Sequence, residues 1–329
     1  MTERALDARA LRAHYRAFVR EGRVLLTGHS HQAWPDVARE GLARSFDDAA
    51  LHVDDKWSAA FEAARAVREA VCARMGARAD DIALAPNTHE LVARVLSSLA
   101  WRARPRLVTT TGEFHTLHRQ LRRLAEEGVR VDFIDARPVD TLAERLAAAV
   151  TDDTAAVLAS TVLFETSSRV PNLRALVERA NRHGTAVLLD AYHAFNTVPF
   201  RVEDFGEGEV FVVGGGYKYA QWGEGVCFLR VPEGSSRRPV YTGWFADFAH
   251  LADRRTGAPV TYGATGAERF AGATYDPASH YRARAVTEFM DAQGMTVAAL
   301  HALYARQTER IFAALEARGW ASETPRAAD

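Results

Sequence analysis

The chain has 329 residues, 48% of them hydrophobic and 25% charged, with 41 Lys+Arg against 42 Asp+Glu and a formal charge of -1. That is enough ordinary globular material for one large core and a smaller second one, which excludes disorder as the expectation. No global field would draw such a chain to nucleic acid or to an anionic membrane, so a small molecule is the expected partner.

The N-terminal stretch MTERALDARALRAHYRAF is charged and amphipathic, without an apolar signal core, and no run of 18 apolar residues follows it. Neither export by that route nor a membrane span is expected. Short apolar, β-branched runs recur at 82–85, 106–110, 129–134, 155–160, 186–190, 210–213 and 226–231. Between them, segments such as 56–75, 88–103, 140–150 and 171–183 set apolar residues at three- and four-residue spacing, and His183-Gly184 reads as a helix stop. This alternation predicts an α/β fold with a mostly parallel, doubly wound sheet over residues 50–235. After Pro232 the chain turns loop-rich through 234–278, with Gly257, Gly263, Gly266 and Gly272 among its glycines, and then helical at 280–292 and 295–318. Residues 236–329 are therefore expected to form a second, smaller α+β unit that stops short of completing a sheet. The two cysteines, Cys72 in a helical stretch and Cys227 in an apolar strand, form no disulfide or zinc pattern, which fits a reducing cytoplasm.

In open α/β sheets ligands bind outside the carboxyl ends of the strands, and three of those ends stand out. The run AVLLD sets an acid, Asp190, at the end of a buried strand and continues Ala191-Tyr192-His193; an acid there needs a partner. The run VFVVGGGYKY bends through three glycines and delivers Tyr217-Lys218-Tyr219 to the same crevice. In IALAPNTHEL, residues Asn87, Thr88 and His89 open a helix, whose free N–H groups suit an anion. An amine, a buried carboxylate and a helix N-terminus are together what pyridoxal 5′-phosphate (PLP) needs.

At these residues the sequence resembles the fold-type I PLP-dependent enzymes of the aminotransferase class V group, and within it the kynureninases. The resemblance runs from about residue 22 to 320. Asp190-Ala191-Tyr192-His193 is similar to the family's D-x-x-H segment, Tyr217-Lys218-Tyr219 with Gly223 and Gly225 to its Y-K-Y segment and following glycines, and Thr242-Gly243-Trp244 to its G-W segment. Gly112-Glu113-Phe114 and Arg269-Phe270-Ala271-Gly272-Ala273-Thr274 are looser matches.

The resemblance implies roles residue by residue. Lys218 would hold PLP as a Schiff base and shuttle protons, Asp190 would pair with the pyridine nitrogen, and His193 would sit against the cofactor's O3′ or support Asp190. Tyr217 and Thr88, with the backbone at His89, would bond the phosphate. Phe114 would stack on the ring, and Thr166 and Ser167 would approach its O3′ side. Trp244, with the stretch 257–274 that ends in Thr274, would reach the phosphate site of a partner in a homodimer with shared active sites. Plain structural readings stand beside these: a strand-end cap for Asp190, a carbonyl-bound imidazole for His193, and packing for Tyr217, Phe114 and Trp244.

Residues 1–49 would form an N-terminal arm lining the substrate pocket, where Leu25-Leu26-Thr27-Gly28-His29-Ser30-His31 resembles a kynureninase segment. His29 stands for the family's Asn, His31-Gln32 for its Leu-Gly, and Leu117 for an acid. The set His29, His31, His115 and His118 matches no zinc spacing, so no metal is expected. The family's arginine for the substrate carboxylate would lie past residue 329. The activity implied is hydrolytic cleavage of the Cβ–Cγ bond of an aryl-keto amino acid such as kynurenine. A class V aminotransferase or other lyase is the alternative, and a non-catalytic PLP-fold binding protein the reading from another class. A cysteine desulfurase would need a nucleophilic Cys on a mobile loop, which neither Cys72 nor Cys227 offers.

Overall fold

The computed structural model describes residues 5–251 and 259–326, so Gly257 of the glycine-rich stretch lies outside the described residues. Its strands are β1 (Ile82–Ala85), β2 (Arg106–Thr110), β3 (Arg130–Ile134), β4 (Thr154–Ser160), β5 (Ala186–Asp190), β6 (Val210–Gly215) and β7 (Cys227–Arg230). Helices α1 (Ala8–Leu11), α2 (Val37–His52), α3 (Lys56–Met75), α4 (Thr88–Ser97), α5 (His115–Glu126), α6 (Leu142–Ala149) and α7 (Leu173–Arg182) precede or separate them. Helices α8 (Gly266–Arg269), α9 (Ala278–Ala292) and α10 (Val297–Glu316) follow.

The seven strands form one sheet in the order β1-β7-β6-β5-β4-β2-β3. Pairings among β2 to β6 are parallel, and β7 runs antiparallel to both β6 and β1. Strand pleating divides the buried residues between two faces. Val187 and Leu189 of β5 join a core with Val67 and Val71 of α3, Leu146 of α6 and Leu176 of α7. Ala186 and Leu188, one residue out of phase, join the opposite core with Leu91 of α4 and Leu121 of α5. With helices on both faces, a central strand such as β4 is buried along all its length, which is why it reads as a continuous apolar run. Each fully buried Val or Leu contributes roughly 1.5–3 kcal/mol to this assembly.

Two features differ from the sequence reading. Residues 37–52 are helical and cross the boundary drawn at 49/50, so the arm proper ends near Asp36. Helix α2 packs on α9, and a Cβ on Gly41 would lie 2.6 Å from the Tyr281 carbonyl oxygen, a contact set by a residue far along the chain. Its buried positions are the small Ala38 and Gly41, which leave no strong apolar stripe to read. Second, the described residues after 235 contribute helices and no strand.

Candidate active site

Strands β4, β5 and β6 end side by side, Ser160 paired with Asp190 and Asp190 with Val213. Beyond β6, the chain can turn under the sheet edge only because it lacks side chains. A Cβ on Gly215 would lie 2.5 Å from the Tyr192 ring, and one on Gly216 would lie 2.3 Å from Trp222. The turn delivers Lys218, which is 5% exposed. Its Nζ lies 2.8 Å from His193 Nε2 and donates to the His29 carbonyl at 3.1 Å. The rings of Phe114, Tyr217 and Tyr192 surround it, with centroids 5.6, 5.5 and 5.9 Å from the nitrogen.

Burial makes the charged forms costly here. It lowers the Lys218 amine below its usual range, against the opposing pull of Asp190. Burial and the Lys218 charge push His193 down to about 4, so its imidazole is neutral and able to accept a hydrogen bond from the amine. Burial raises Asp190 to about 6, although the Tyr192 N–H, donating to Oδ1 at 2.8 Å, and Lys218 pull the other way. Among the described residues no donor reaches Asp190 Oδ2, and Asp190 lines a narrow cleft with Thr88, His89, Phe114 and Gln120. Asn87 caps α4, its side chain accepting from Glu90 N at 2.9 Å, and the first-turn N–H groups of Thr88 and His89 remain outside the helical bonding.

Lys218, Asp190, His193, Tyr217, Phe114, Thr88 and His89 thus converge. The arm supplies the His29 carbonyl to Lys218 and sets the His31 ring 5.1 Å from that of Tyr217, whereas the Ser30 hydroxyl turns back to the Thr27 carbonyl at 3.1 Å. Thr166 is engaged by the Ser168 hydroxyl at 2.8 Å, and Phe164 of the same loop lies against the site, its ring 5.4 Å from Phe114 and 6.5 Å from His193. Trp244 donates to Thr274 Oγ1 at 3.2 Å and stacks on Phe245. Thr274 and Phe245 line a cleft of about 1110 Å³ whose lining also includes His89, Glu224, Gly225 and Arg282 but neither Lys218 nor Asp190. His115 touches Phe164, His118 touches Phe133, and no group of three His, Cys, Asp or Glu side chains among the described residues could hold a metal.

Glu113 is buried beside this site; in the sequence it is matched only as the neighbour of Phe114, with no role of its own. Its Oε1 accepts from Thr110 Oγ1 at 2.6 Å and Ser160 N at 3.1 Å, and Oε2 pairs with Ser160 Oγ at 2.7 Å, which ties the Phe114 loop to β4. Burial raises it from 4.5 to about 7, while the bonds from Thr110 and Ser160 draw it down. A carboxyl that holds its proton more tightly folded than unfolded contributes stability below pH 4.5 and loses that contribution as pH rises through about 7. Glu113→Gln keeps the acceptor and can donate to Ser160 Oγ. In the cofactor-free protein it should flatten the fall of Tm between pH 4.5 and about 7, leaving the same-signed slope from Asp190. An unchanged Tm profile would mean that Glu113 is ionised in the fold.

The Aminotransferase class-V family model matches residues 47–326. An uncharacterized aminotransferase, YcbU of Bacillus subtilis, is 24% identical over 66% of this chain and 60% of its own length. A kynureninase of Deinococcus radiodurans is 28% identical over 81% of this chain and 65% of its own. The chain therefore spans under two thirds of the length of these two relatives. Among solved structures, a C-DES mutant with glycine covalently linked to the PLP cofactor superposes with TM-score 0.80 at 18% identity, covering 93% of this chain and 80% of that one. The cysteine desulfurase of Thermococcus onnurineus gives TM-score 0.71 at 17% identity, over 91% and 74%. At such identities the likeness is one of fold.

Proposed function

The chain belongs to the class V aminotransferase family of fold-type I, PLP-dependent enzymes, and from that premise we propose that it is a kynureninase-like hydrolase that cleaves the Cβ–Cγ bond of an aryl-keto amino acid. The residues present suit the cofactor: a buried amine without a carboxylate within bonding distance among the described residues, an Asp190 oxygen without a donor, an aromatic face at Phe114 and a capped helix N-terminus. When bound, PLP withdraws electrons from the substrate's α-carbon.

Lys218 holds the cofactor covalently and its Nζ carries protons at the substrate's Cα and Cβ. Asp190, as the anion, keeps the pyridine nitrogen protonated, and a cation there favours that anion over the neutral acid of the cofactor-free site. His193, neutral, accepts a hydrogen bond from Lys218 Nζ across 2.8 Å and so orients the amine. Tyr217, Thr88 and the His89 backbone would bond the phosphate, and Phe114 would stack on the ring. Thr166 would approach the O3′ side, and the arm residues His29, Ser30 and His31 would line the substrate pocket.

The observation that carries the aryl substrate is the bank of rings that Phe164 and His115 form next to His193 and Phe114, which both lie beside Lys218. Such a wall takes a flat aromatic group edge-on or stacked. The 28% identity to a kynureninase supports the same reading. The YcbU relative keeps transamination as the second reading. Sulfur transfer through a protein thiol is disfavoured, because burial raises Cys72 to about 11 and Cys227 to about 12, far from a thiolate at neutral pH.

Titrating the PLP-loaded protein with kynurenine, 3-hydroxykynurenine and a panel of amino acids distinguishes these outcomes. Release of an aryl carboxylate and alanine is expected with the aryl-keto substrates. Accumulation of the pyridoxamine form of the cofactor with simple amino acids would replace hydrolysis by transamination. The working unit in this reading is a homodimer, with Trp244 and Thr274 reaching the partner's phosphate site. The exposed hydrophobic residues Trp244, Phe248 and Leu251 beside them support it. A monomer mass by light scattering in a protein that binds PLP tightly would refute it.

A further inference from the structure

Arg282 of α9 is a charged side chain only 8% exposed, and among the described residues it makes no ion pair. Its guanidinium is instead used by backbone. Nε donates to the Trp222 carbonyl at 2.5 Å and Nη2 donates to the Glu224 carbonyl. One turn earlier, Ser279 Oγ donates to the Gly225 carbonyl at 3.1 Å. Helix α9 thus holds three carbonyls of the loop that leaves Lys218. That loop is closed on itself by Gln221 N to Lys218 O at 3.0 Å and Gly216 N to Val226 O at 3.0 Å, so a shift at 222–225 is transmitted to the lysine.

The other face of the guanidinium stacks on Trp34, 4.5 Å from the ring centroid, at the end of the N-terminal arm. Gly223 is pressed between the two, with φ +70, and a Cβ there would lie 2.5 Å from Trp34 Cζ2 and 2.7 Å from Arg282 Cζ. Five and three residues before Trp34, the arm brings the His29 carbonyl to Lys218 Nζ and the His31 ring to Tyr217, with His31 Nε2 3.7 Å from the Glu224 carboxylate. Glu224 and Asp276 act on the guanidinium only from beyond ion-pair distance, and a buried cation without a direct ion pair is costly unless its hydrogen bonds do something that an apolar residue could not. A planar fork with a stacking face can hold two carbonyls and an indole at once, which an ammonium cannot.

We propose that Arg282 is a positioning residue that clamps the arm (Trp34) and the loop after Lys218 (Trp222 and Glu224) together, and so sets the arm over the cofactor lysine. This rests on the reading of Lys218 as that lysine. The clamp has a readout without cofactor. In the PLP-free protein, Arg282→Met should speed amide hydrogen exchange in residues 27–35 and 218–226 by about tenfold, while the β4 and β5 amides keep wild-type protection. In the loaded protein PLP should be held about tenfold more weakly, and Arg282→Lys, which keeps the charge and loses the fork, should fall between wild type and Met. Trp34→Leu removes only the arm's side of the clamp and should free residues 27–35 in the same way; it decides the matter if the Met variant does not fold. Exchange in the arm and PLP affinity both within about twofold of wild type in these variants would overturn the proposal. Cofactor found on a lysine other than Lys218 would remove the link to catalysis but leave the exchange result standing, so the two failures are separable.

Discussion

Lys218→Ala is expected to abolish the visible absorbance of covalently held PLP and to lower turnover on the order of 10⁴-fold or more, with the fold intact. The amine is buried, its charge is disfavoured by that burial, and its partners are one imidazole nitrogen and one carbonyl. Removing it leaves His193 Nε2 without a donor but also takes away a desolvated cation, so the two effects offset and Tm should move by only a few degrees, on the order expected for about 1 kcal/mol. Borohydride reduction of the wild-type holoenzyme followed by peptide mapping should find the cofactor on residues 216–219. Recovery of the label on another lysine, or wild-type absorbance in the Ala variant, would end the assignment.

Asp190→Asn is expected to keep PLP bound while reducing turnover on the order of 10³-fold, because an amide cannot favour the protonated pyridine nitrogen. In the free protein, burial raises this carboxyl to about 6. A carboxyl whose folded pKa is raised stabilises the fold below its unfolded value of 3.8, and that contribution is lost as pH rises through about 6. The Asn variant should accordingly show a flatter Tm profile over that window without cofactor. Bound PLP should reverse the preference, since a cation beside Asp190 stabilises its anion. Near wild-type turnover in Asp190→Asn would take the residue out of the chemistry, whatever the Tm profile shows.

The layout of the sheet was legible because burial on both faces forces β-branched, apolar runs of strand length, and helices between them keep a period of their own. The strand ends at Asp190 and the bend through Gly214, Gly215 and Gly216 into Lys218 were legible for the same reason, since an acid or a glycine run interrupts such a pattern locally. Helix α2 was not, because its contact face uses Ala38 and Gly41 against α9, and small residues leave no periodic stripe. The crevice that Lys218 shares with Asp190 was legible from the strand ends, but the hydrogen bonds of its amine were not. The His29 carbonyl arrives from 189 positions away, the His193 imidazole from 25, and the Arg282 contacts with the loop after the lysine from 58 and 60. Local sequence carries propensity and period. Which distant groups share a desolvated space, and therefore that Glu113 and Asp190 are raised and His193 is lowered, is decided only when the tertiary fold excludes water from around them.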